Sequence, residues 1–304
     1  MIEISVILCT HNPRKEFLDR VLEGLRLQTL SNQEWELLII DNASSPPVSD
    51  LISLEWHPNA RVVLESTPGL TPARLTGIDQ AKAELLVFVD DDAVLAQDYL
   101  EQTLAIADSH SLVGAFGGNV ELEFQRPPPE WTRPHWPRMA ERFVTQPIWS
   151  NFSGLPVTTP WGVGMCLRRQ VAVKYRSLVR DDPVRRGLGR KGSSLMSGED
   201  DDMARTSHLL GMATGLFPEL NLLHLIPEER LHEDYLVRLV EGQNYSGVIV
   251  ETLHGVRPDI PIIGPFRQVA GKLKRRLTMS KRKRRFLEAA IRGQQQALSD
   301  IAKT

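Results

Sequence analysis

The first part of the chain alternates between short apolar runs and amphipathic stretches. Residues 3–9, 36–40 and 85–89 are apolar runs that contain many β-branched side chains, as buried strands do. Residues 17–25 instead place apolar side chains at the three- and four-residue spacing of a helix, and residues 71–83 are a second predicted helix, with Pro72 at its start. This alternation predicts an α/β fold in which a mixed, mostly parallel sheet is flanked by helices.

Polar residues follow the ends of the predicted strands. Thr10, Asp41 and Asp90 each come directly after one of the three apolar runs. The carboxyl ends of parallel strands meet at one edge of a sheet, where ligands bind in folds of this kind. We therefore expect these side chains to contribute to one site. Arg74, in the early turns of the second helix, is a candidate phosphate contact, with a solvated arginine as the alternative.

Asp90, Asp91 and Asp92 place three carboxylates at the end of a strand that we expect to be buried. Three adjacent like charges in such a position need cations, hydrogen bonds or water to compensate them. Carboxylate oxygens, diphosphate oxygens and water together satisfy the octahedral coordination of Mg²⁺ or Mn²⁺. The triplet therefore indicates a metal that binds a diphosphate, and a solvated turn is the alternative.

A second acidic cluster, residues 199–202, follows Gly198 and precedes a predicted helix. Acidic residues are favourable at the amino terminus of a helix, so capping is the simpler interpretation. Four adjacent carboxylates nevertheless exceed what a cap needs. In a cleft, such a carboxylate accepts the proton of a hydroxyl group that attacks a sugar, and this is the functional interpretation.

Other candidates lie further along the chain. Residues 161–168 predict a glycine-flanked strand, in which Trp161 offers an aromatic face to a sugar ring. Gly162 and Gly164 would let an acceptor approach the backbone, although close packing explains them equally well. His224 ends a strand-like run and is either a packed residue or a metal ligand.

The composition is that of an ordinary soluble globular protein, with 304 residues, a formal net charge of −2 and 41% apolar residues. Cys9 and Cys166 lie in apolar runs, which indicates free thiols in a reducing compartment, and we expect a cytoplasmic protein. No apolar run reaches the roughly 18 residues that a membrane span requires. The Pro- and Trp-rich segment 126–147 is typical of a functional loop or a mobile lid.

Residues 272–285 differ from the rest of the chain because they carry nine basic side chains and no acidic one. Leu273, Leu277 and Phe286 are interleaved with these charges. The pattern predicts a partly amphipathic helix on an anionic membrane surface, at the inner face of the plasma membrane, and a solvated tail is the alternative. Nucleic acid is not an expected partner, because the rest of the chain is not basic.

Together these motifs resemble, in order and spacing, those of the family 2 glycosyltransferases. The matching residues are Thr10-His11-Asn12, Asp41-Asn42-Ala43-Ser44, Ala73-Arg74-Leu75-Thr76-Gly77-Ile78, Asp90-Asp91-Asp92, Gly162-Val163-Gly164-Met165, Gly198-Glu199-Asp200 and His224. Leu75 stands where the family usually has asparagine, so we expect no donor contact from that side chain. The resemblance implies a GT-A-type, Rossmann-like fold over residues 1–240, with a donor half (1–120), an acceptor half (121–240) and a basic helical extension (241–304).

The resemblance also implies an inverting transfer of a sugar from a nucleotide-diphosphate donor, UDP-linked by default, to a carbohydrate or lipid-linked acceptor. It assigns the nucleotide sugar to Thr10, Asn12, Asp41, Arg74, Asp90 and Asp91. It assigns Mg²⁺ or Mn²⁺ to Asp90, Asp92 and His224, and the catalytic base to Asp200 or the neighbouring Glu199. Trp161, Gly162 and Gly164 stay the candidates for the acceptor, on the grounds of their residue types. The alternatives are a catalytically silent binder of glycans or nucleotide sugars and a nucleotidyltransferase, although residues 10–14 lack the glycine-rich basic loop expected of the latter.

Overall fold

Nine strands form one mixed sheet in the order β3-β2-β1-β4-β8-β6-β9-β5, with β7 also paired to β9. The computed structural model that shows this sheet describes residues 2–152, 156–192, 195–256, 260 and 276–303. The strands are β1 Ile4–Thr10, β2 Trp35–Asp41, β3 Ala60–Leu64, β4 Leu85–Asp90, β5 Ala93–Leu95, β6 Val113–Phe124, β7 Ile148–Ser150, β8 Cys166–Arg168 and β9 Ala213–Ile226. Because β1 to β4, β6 and β9 all run in one direction, the predicted mostly parallel α/β fold is confirmed.

Helices cover both faces of this sheet. They are α1 Lys15–Arg26, α2 Leu70–Gln80, α3 Tyr99–Ser109, α4 Arg169–Asp181, α5 Pro183–Arg186, α6 Glu199–Leu209, α7 Glu233–Leu253 and α8 Lys281–Ile301. Alternate side chains of a strand point to opposite faces, so Val6 and Leu8 pack with α1 and α3, whereas Ile7 packs with α2, α4 and α6. Burial on both faces explains the apolar character of the parallel strands.

The turn after β4 positions the acidic triplet. Asp90 is the last residue of β4, and Asp91 and Asp92 connect it to β5. β5 pairs antiparallel with β9, and Ala93 lies opposite His224 in that pairing. A strand of three residues, too short to show a period in the sequence, thereby brings His224 to the aspartates.

The predicted strand at 161–168 is correct only for β8, its last three residues. Residues 161–165 form a turn instead, so the prediction was wrong there. Gly164 has a φ of +74°, a left-handed conformation that glycine adopts readily and that an extended strand does not use. Its carbonyl accepts a hydrogen bond of 2.5 Å from the Tyr99 hydroxyl, which fixes the turn against α3.

The helices α7 and α8 pack along each other at the carboxyl-terminal end of the chain. They run in the same direction, since Arg285 pairs with Glu233 near both starts and Gly293 meets Glu241 further along. α8 confirms the predicted helical extension, but the predicted boundary at 240 falls inside α7, and the division into domains stays a prediction. None of the helices within the described ranges is both long and apolar enough to cross a membrane.

The basic segment 272–285 is partly engaged within the molecule. Three of its nine basic residues lie outside the described residues: Lys272, Lys274 and Arg275. Arg282 and Arg285 pair with Glu233 at 2.9 and 2.6 Å, and the Arg282 guanidinium lies 4.2 Å from the ring centre of Trp131. These arginines hold α8 against α7 and the segment 130–139, so their charge is partly neutralised.

Candidate active site

Two adjoining cavities open at the carboxyl ends of β1 and β4. The smaller cavity, of about 370 Å³, lies between these strands and the start of α2. The larger cavity, of about 600 Å³, lies between the turn 161–165, the start of α6, the segment 130–139 and α7. Residues that line both cavities form their shared wall: Asp90, Asp92, Arg190, Ser197, Asp200 and Arg230.

The ends of β1 and β2 form one side of the smaller cavity. The Thr10 hydroxyl donates a hydrogen bond to the Asp91 carboxylate. His11 Nδ1 lies 2.7 Å from the backbone carbonyl oxygen of Asn42. The side-chain Oδ1 of Asn42 accepts a hydrogen bond of 2.7 Å from the Gly69 amide. These bonds fix the loops after both strands against the start of α2. Thr10 and Asp91 were predicted here, whereas His11 and Asn42 were missed.

Asn12 and Asp41, two predicted nucleotide-binding residues, are not among the described residues that line either cavity. The carboxylate oxygens of Asp41 each accept a hydrogen bond of 2.9 Å, from the amides of Ser44 and Val48. Burial favours a higher pKa for Asp41, but these amides outweigh it and hold that pKa below its usual value. Asn12 Oδ1 accepts a hydrogen bond of 2.8 Å from the Ser45 amide. Both side chains therefore stabilise the loop after β2.

Arg74 is buried and reaches from α2 to two acidic side chains. Its guanidinium donates a hydrogen bond of 2.9 Å to Glu199 and lies 3.4 Å from Asp90. Burial opposes the charge of Arg74, but Glu199 and Asp90 outweigh it and raise the pKa of Arg74. Burial also raises the pKa of Glu199 to about 7, against the opposing charge of Arg74. The short contact favours an ionised pair, in which Glu199 holds Arg74 in place.

Two side chains hold Asp92 in place: one lies on β9 opposite the start of β5, and the other lies just after β9. Arg230 Nη2 lies 2.8 Å from one carboxylate oxygen, and His224 Nε2 lies 3.4 Å from the other. His224 Nδ1 lies 2.8 Å from the Met139 carbonyl, so Nδ1 is the donor. Burial opposes ionisation of Asp92, but Arg230 and His224 hold its pKa well below the usual value. Burial and the charge of Asp92 raise the pKa of Asp91 to about 7.

The acids at the start of α6 lie in different environments. Asp200 is part of the shared wall, where its Oδ2 accepts a hydrogen bond of 2.8 Å from the Gly162 amide. Asp201 lines only the larger cavity, and burial raises its pKa to about 7 against the charge of Arg205. Of the described acids in this cluster, only Asp200 lines both cavities.

Asp202 has a structural role instead. Its side chain is fully buried and pairs with Arg185, and it lies 2.7 Å from His254 Nε2. Because Arg185 belongs to α5 and His254 caps the end of α7, this cluster joins three helices beneath the site. Asp202 is therefore separated from the cavities, although the sequence alone could not distinguish it from Asp200.

The predicted acceptor residues lie on the turn 161–165. Trp161 lines the larger cavity, and its ring lies 4.1 Å from the guanidinium of Arg142. Gly162 lines the smaller cavity, and a side-chain carbon there would lie 2.7 Å from Arg74 and 2.8 Å from Asp200. Gly164 is not among the described residues that line the cavities, and its positive φ shapes the turn.

The Pro- and Trp-rich segment contributes a wall of the larger cavity. Residues 130–139 form 3₁₀ turns, from which Pro134, Pro137 and Arg138 line the cavity. The Trp136 ring instead packs against Phe124, with ring centres 4.9 Å apart. The segment thus belongs to the site, and its movement as a lid stays a prediction.

Comparison with known proteins identifies the family. Residues 5–172, more than half of the chain, match the family model described as Glycosyl transferase family 2. The chain belongs to this family. This family 2 glycosyltransferase is 23% identical over 261 residues to the succinoglycan biosynthesis protein ExoM of Rhizobium meliloti, across 84% of the chain and 78% of ExoM. It is 27% identical over 200 residues to the glycosyltransferase AglE of Haloferax volcanii, across 65% of the chain and 58% of AglE.

The family 2 glycosyltransferase also resembles the solved structures of S. aureus TarS. TarS 1–349 aligns with a TM-score of 0.50 and 17% identity, across 79% of this chain and 64% of that one. TarS 1–349 in complex with UDP-GlcNAc aligns with a TM-score of 0.50 and 15% identity, across 95% of this chain and 79% of that one. At this level of identity the likeness concerns the fold alone, and it confirms the expected GT-A-type fold.

The acidic triplet fits a divalent cation that is shared with a bound ligand. Asp90 and Asp92 supply hard oxygen ligands on the shared wall, and the Asp90 side chain is 33% exposed. Within the described part of the chain, no group of three or more His, Cys, Asp or Glu side chains is placed to hold a metal by itself. A cation here would take its other ligands from a diphosphate and water, as Mg²⁺ commonly does.

Several cationic residues of the site were missed from the sequence. Arg230 and Arg190 lie on the shared wall, and Arg142 stacks on Trp161. Arg230 follows two glutamates and belongs to no recognisable motif. Its contact with Asp92 is therefore visible only in the three-dimensional structure, where the segment after β9 returns to the end of β4. Arg190 is followed directly by Lys191, and such a pair of adjacent basic residues is the local sequence pattern that could have indicated an anion-binding position.

Proposed function

We propose that this family 2 glycosyltransferase binds a nucleotide-diphosphate sugar in the smaller cavity and a carbohydrate acceptor in the larger one. One observation carries the proposal: the two cavities share a wall that contains Asp90, Asp92 and Asp200. A sugar placed at this wall would lie between its leaving diphosphate and an attacking hydroxyl. The relative ExoM, a succinoglycan biosynthesis protein, supports polysaccharide synthesis, and the complex of TarS with UDP-GlcNAc supports a UDP-linked donor.

The donor's charge would be balanced by cations on both sides of the shared wall. Asp90 and Asp92 would hold Mg²⁺ or Mn²⁺, which when bound neutralises charge on a leaving diphosphate. Arg74, Arg190 and Arg230 add fixed positive charge around the same space, where burial makes each interaction stronger than in water. We assign His224 to orienting Asp92, because its Nε2 lies 3.4 Å from Asp92 and 3.1 Å from Arg230 Nη1 and is thus engaged within the fold.

Asp200 would act as the base. Its carboxylate takes the proton of the acceptor hydroxyl while the new bond forms between that oxygen and the anomeric carbon. The bond from the anomeric carbon to the diphosphate breaks on the opposite face, so a single displacement inverts the anomeric centre. Glu199 would act as a positioning residue, because it accepts a hydrogen bond from Arg74 and holds that guanidinium beside the donor. The amide of Gly162 donates a hydrogen bond to Asp200 Oδ2 and so fixes the position of this carboxylate.

The test compares Asp200→Asn with Asp201→Asn in the full chain. UDP-linked sugars are offered with an acceptor panel, UDP release is measured, and proton NMR reads the anomeric configuration of the product. We expect Asp200→Asn to lower turnover about 100-fold or more with UDP affinity unchanged, and Asp201→Asn to retain most activity. Near-native turnover of Asp200→Asn, or a retained configuration, would contradict the proposal. Tight binding of UDP-sugars without transfer or hydrolysis would favour a silent binder.

We propose as well that the molecule binds an anionic membrane surface through the exposed basic residues at the start of α8. Lys281 and Lys283 are exposed there and have no ion pair with a described residue. Since Arg282 and Arg285 are engaged with α7, the attraction would come from fewer residues than the sequence suggested. A lipid-linked acceptor would then be presented close to the site.

A further inference from the structure

The larger cavity contains a cation that the proposed reaction does not use. Arg138, on the segment 130–139, lines the wall that this segment forms with α7. Its Nη1 donates a hydrogen bond of 3.1 Å to Gln243 Oε1, and Gln243 Nε2 donates one of 2.9 Å to the Arg138 carbonyl. The main chain and one nitrogen of Arg138 are thereby fixed to α7, and its other N–H groups are left for a ligand.

Arg138 has no acidic partner among the described residues, in contrast to the two arginines that pair with acids at the shared wall and the donor side of the site. Arg74 pairs with Glu199, and Arg230 pairs with Asp92. A cation that is partly removed from water without a counter-charge is unfavourable. Burial accordingly lowers the pKa of Arg138, and no described carboxylate opposes that effect. An anionic ligand in the cavity would relieve this cost.

We propose that Arg138 binds an anionic group, a phosphate or a carboxylate, on the carbohydrate acceptor. A guanidinium group binds such an oxyanion through two parallel hydrogen bonds, which fixes its direction as well as its position. Asp200 and Asp201, at the start of α6, repel an anion from their side of the cavity. The anionic group is therefore held beside α7 while a hydroxyl of the same acceptor meets Asp200. This inference rests on the proposed assignment of the larger cavity to the acceptor.

The experiment uses the full chain with saturating UDP, so that the smaller cavity is filled. Calorimetry then measures binding of α-glucose 1-phosphate, glucuronic acid and methyl α-glucoside. We expect Arg138→Gln to weaken binding of an anionic sugar about tenfold or more, and to change methyl α-glucoside affinity by less than about twofold. A loss confined to glucose 1-phosphate identifies a phosphate, and a loss confined to glucuronic acid identifies a carboxylate.

Two matched variants separate charge from structure. Arg133→Gln removes the same charge from an exposed arginine of the same segment, and we expect native affinities. Gln243→Ala breaks both hydrogen bonds to Arg138 but keeps its charge, and we expect it to weaken anion binding less than Arg138→Gln does. Equal losses in Arg138→Gln and Arg133→Gln, or no preference of the native chain for anionic sugars, would overturn the proposal. Binding of UDP is measured first, and its absence would show that the donor site is misassigned, whatever the result for Arg138.

Discussion

Arg74 connects the donor side of the site to its acidic helix. It extends from α2, touches Asp90 at the end of β4 and is held by Glu199 at the start of α6. Gly162 packs directly against this arginine and donates its amide to Asp200. The position of the proposed base therefore depends on a glycine that leaves room for its neighbours.

Replacing Gly162 with alanine tests this dependence. The added methyl carbon would lie 2.7 Å from Arg74 and 2.8 Å from Asp200, so one of them must move. We expect turnover to fall about tenfold or more, with a loss of about 1–3 kcal/mol in the free energy of unfolding. Gly187→Ala is the control, because its methyl would meet nothing closer than 3.4 Å. Indistinguishable turnover of the two variants would show that Gly162 does not position the base.

His57 gives the fold a sensitivity to acid. Its ring is 3% exposed, packs 4.1 Å from Trp35, and accepts a hydrogen bond from the Asn59 amide. Burial lowers the pKa of His57 to about 4 in the folded chain, whereas the unfolded value is about 6.5. The unfolded state therefore binds more protons between these values, and stability is lost as the pH falls through that range.

The expected loss from His57 is about 2 kcal/mol between pH 7 and pH 5. Asparagine preserves the acceptor for the Asn59 amide but does not titrate in this range. Urea unfolding at both pH values should therefore show a smaller acid-induced loss in His57→Asn than in the native chain. His232→Asn, at an exposed position, should behave like the native chain. An unchanged acid-induced loss in His57→Asn would mean that the buried ring does not resist protonation.

The position of a site residue could be predicted where the residue belongs to a recognisable local motif, and could not be predicted where it depends on contacts between distant parts of the chain. Three adjacent carboxylates after an apolar run are unusual enough to locate Asp90 and Asp92 on the site. Asp200 and Asp202 share the same local pattern, and only the helical turn between them places one at the cavities and the other in the core. Arg230 carries no local signal, because its contact with Asp92 depends on pairing between distant strands.

At the scale of elements, long periodic segments were predictable and short ones were not. β1, β2, β4 and α1 show clear hydrophobic patterns, and they were found. β5, β7 and β8 have three residues each, too few to display a period of two. β5 and β7 owe their strand conformation to pairing with β9, and β8 owes its own to pairing with β4 and β6. Tertiary contacts thus decide the elements that lie nearest the site.

The helix pair α7 and α8 offers a test in which the same substitution has opposite effects. Glycine in a helix interior normally costs about 1 kcal/mol relative to alanine, so Gly247→Ala, where the space is open, should stabilise the fold by up to about that amount. At Gly293 the added methyl would collide with the Glu241 carbonyl and separate the helices. We expect Gly293→Ala to lower the free energy of unfolding by about 1–3 kcal/mol in urea titrations. A gain from both substitutions would show that α8 does not pack as described.

At the scale of the whole molecule, the near-neutral net charge conceals a division between paired and unpaired cations. Arg74 and Arg230 at the site, and Arg285 and Arg292 between α7 and α8, face acids and act within the fold. Lys281 and Lys283 are exposed at the start of α8 and are not paired with a described residue. An anionic surface would therefore meet the molecule at this end of α8.

Vesicles of equal parts phosphatidylglycerol and phosphatidylcholine provide the test of membrane attachment. Each basic residue near such a surface contributes about 1 kcal/mol, so reversing two charges in Lys281→Glu/Lys283→Glu should weaken cosedimentation about tenfold or more at low salt. Lys82→Glu/Lys174→Glu changes the net charge equally and has no ion pair to lose among the described residues, so it should bind as the native chain does. Added salt should reduce native binding, because attraction between exposed charges is screened. Equal binding of the two variants, or no binding of the native chain, would exclude attachment through α8 and leave the acceptor to reach the larger cavity from solution.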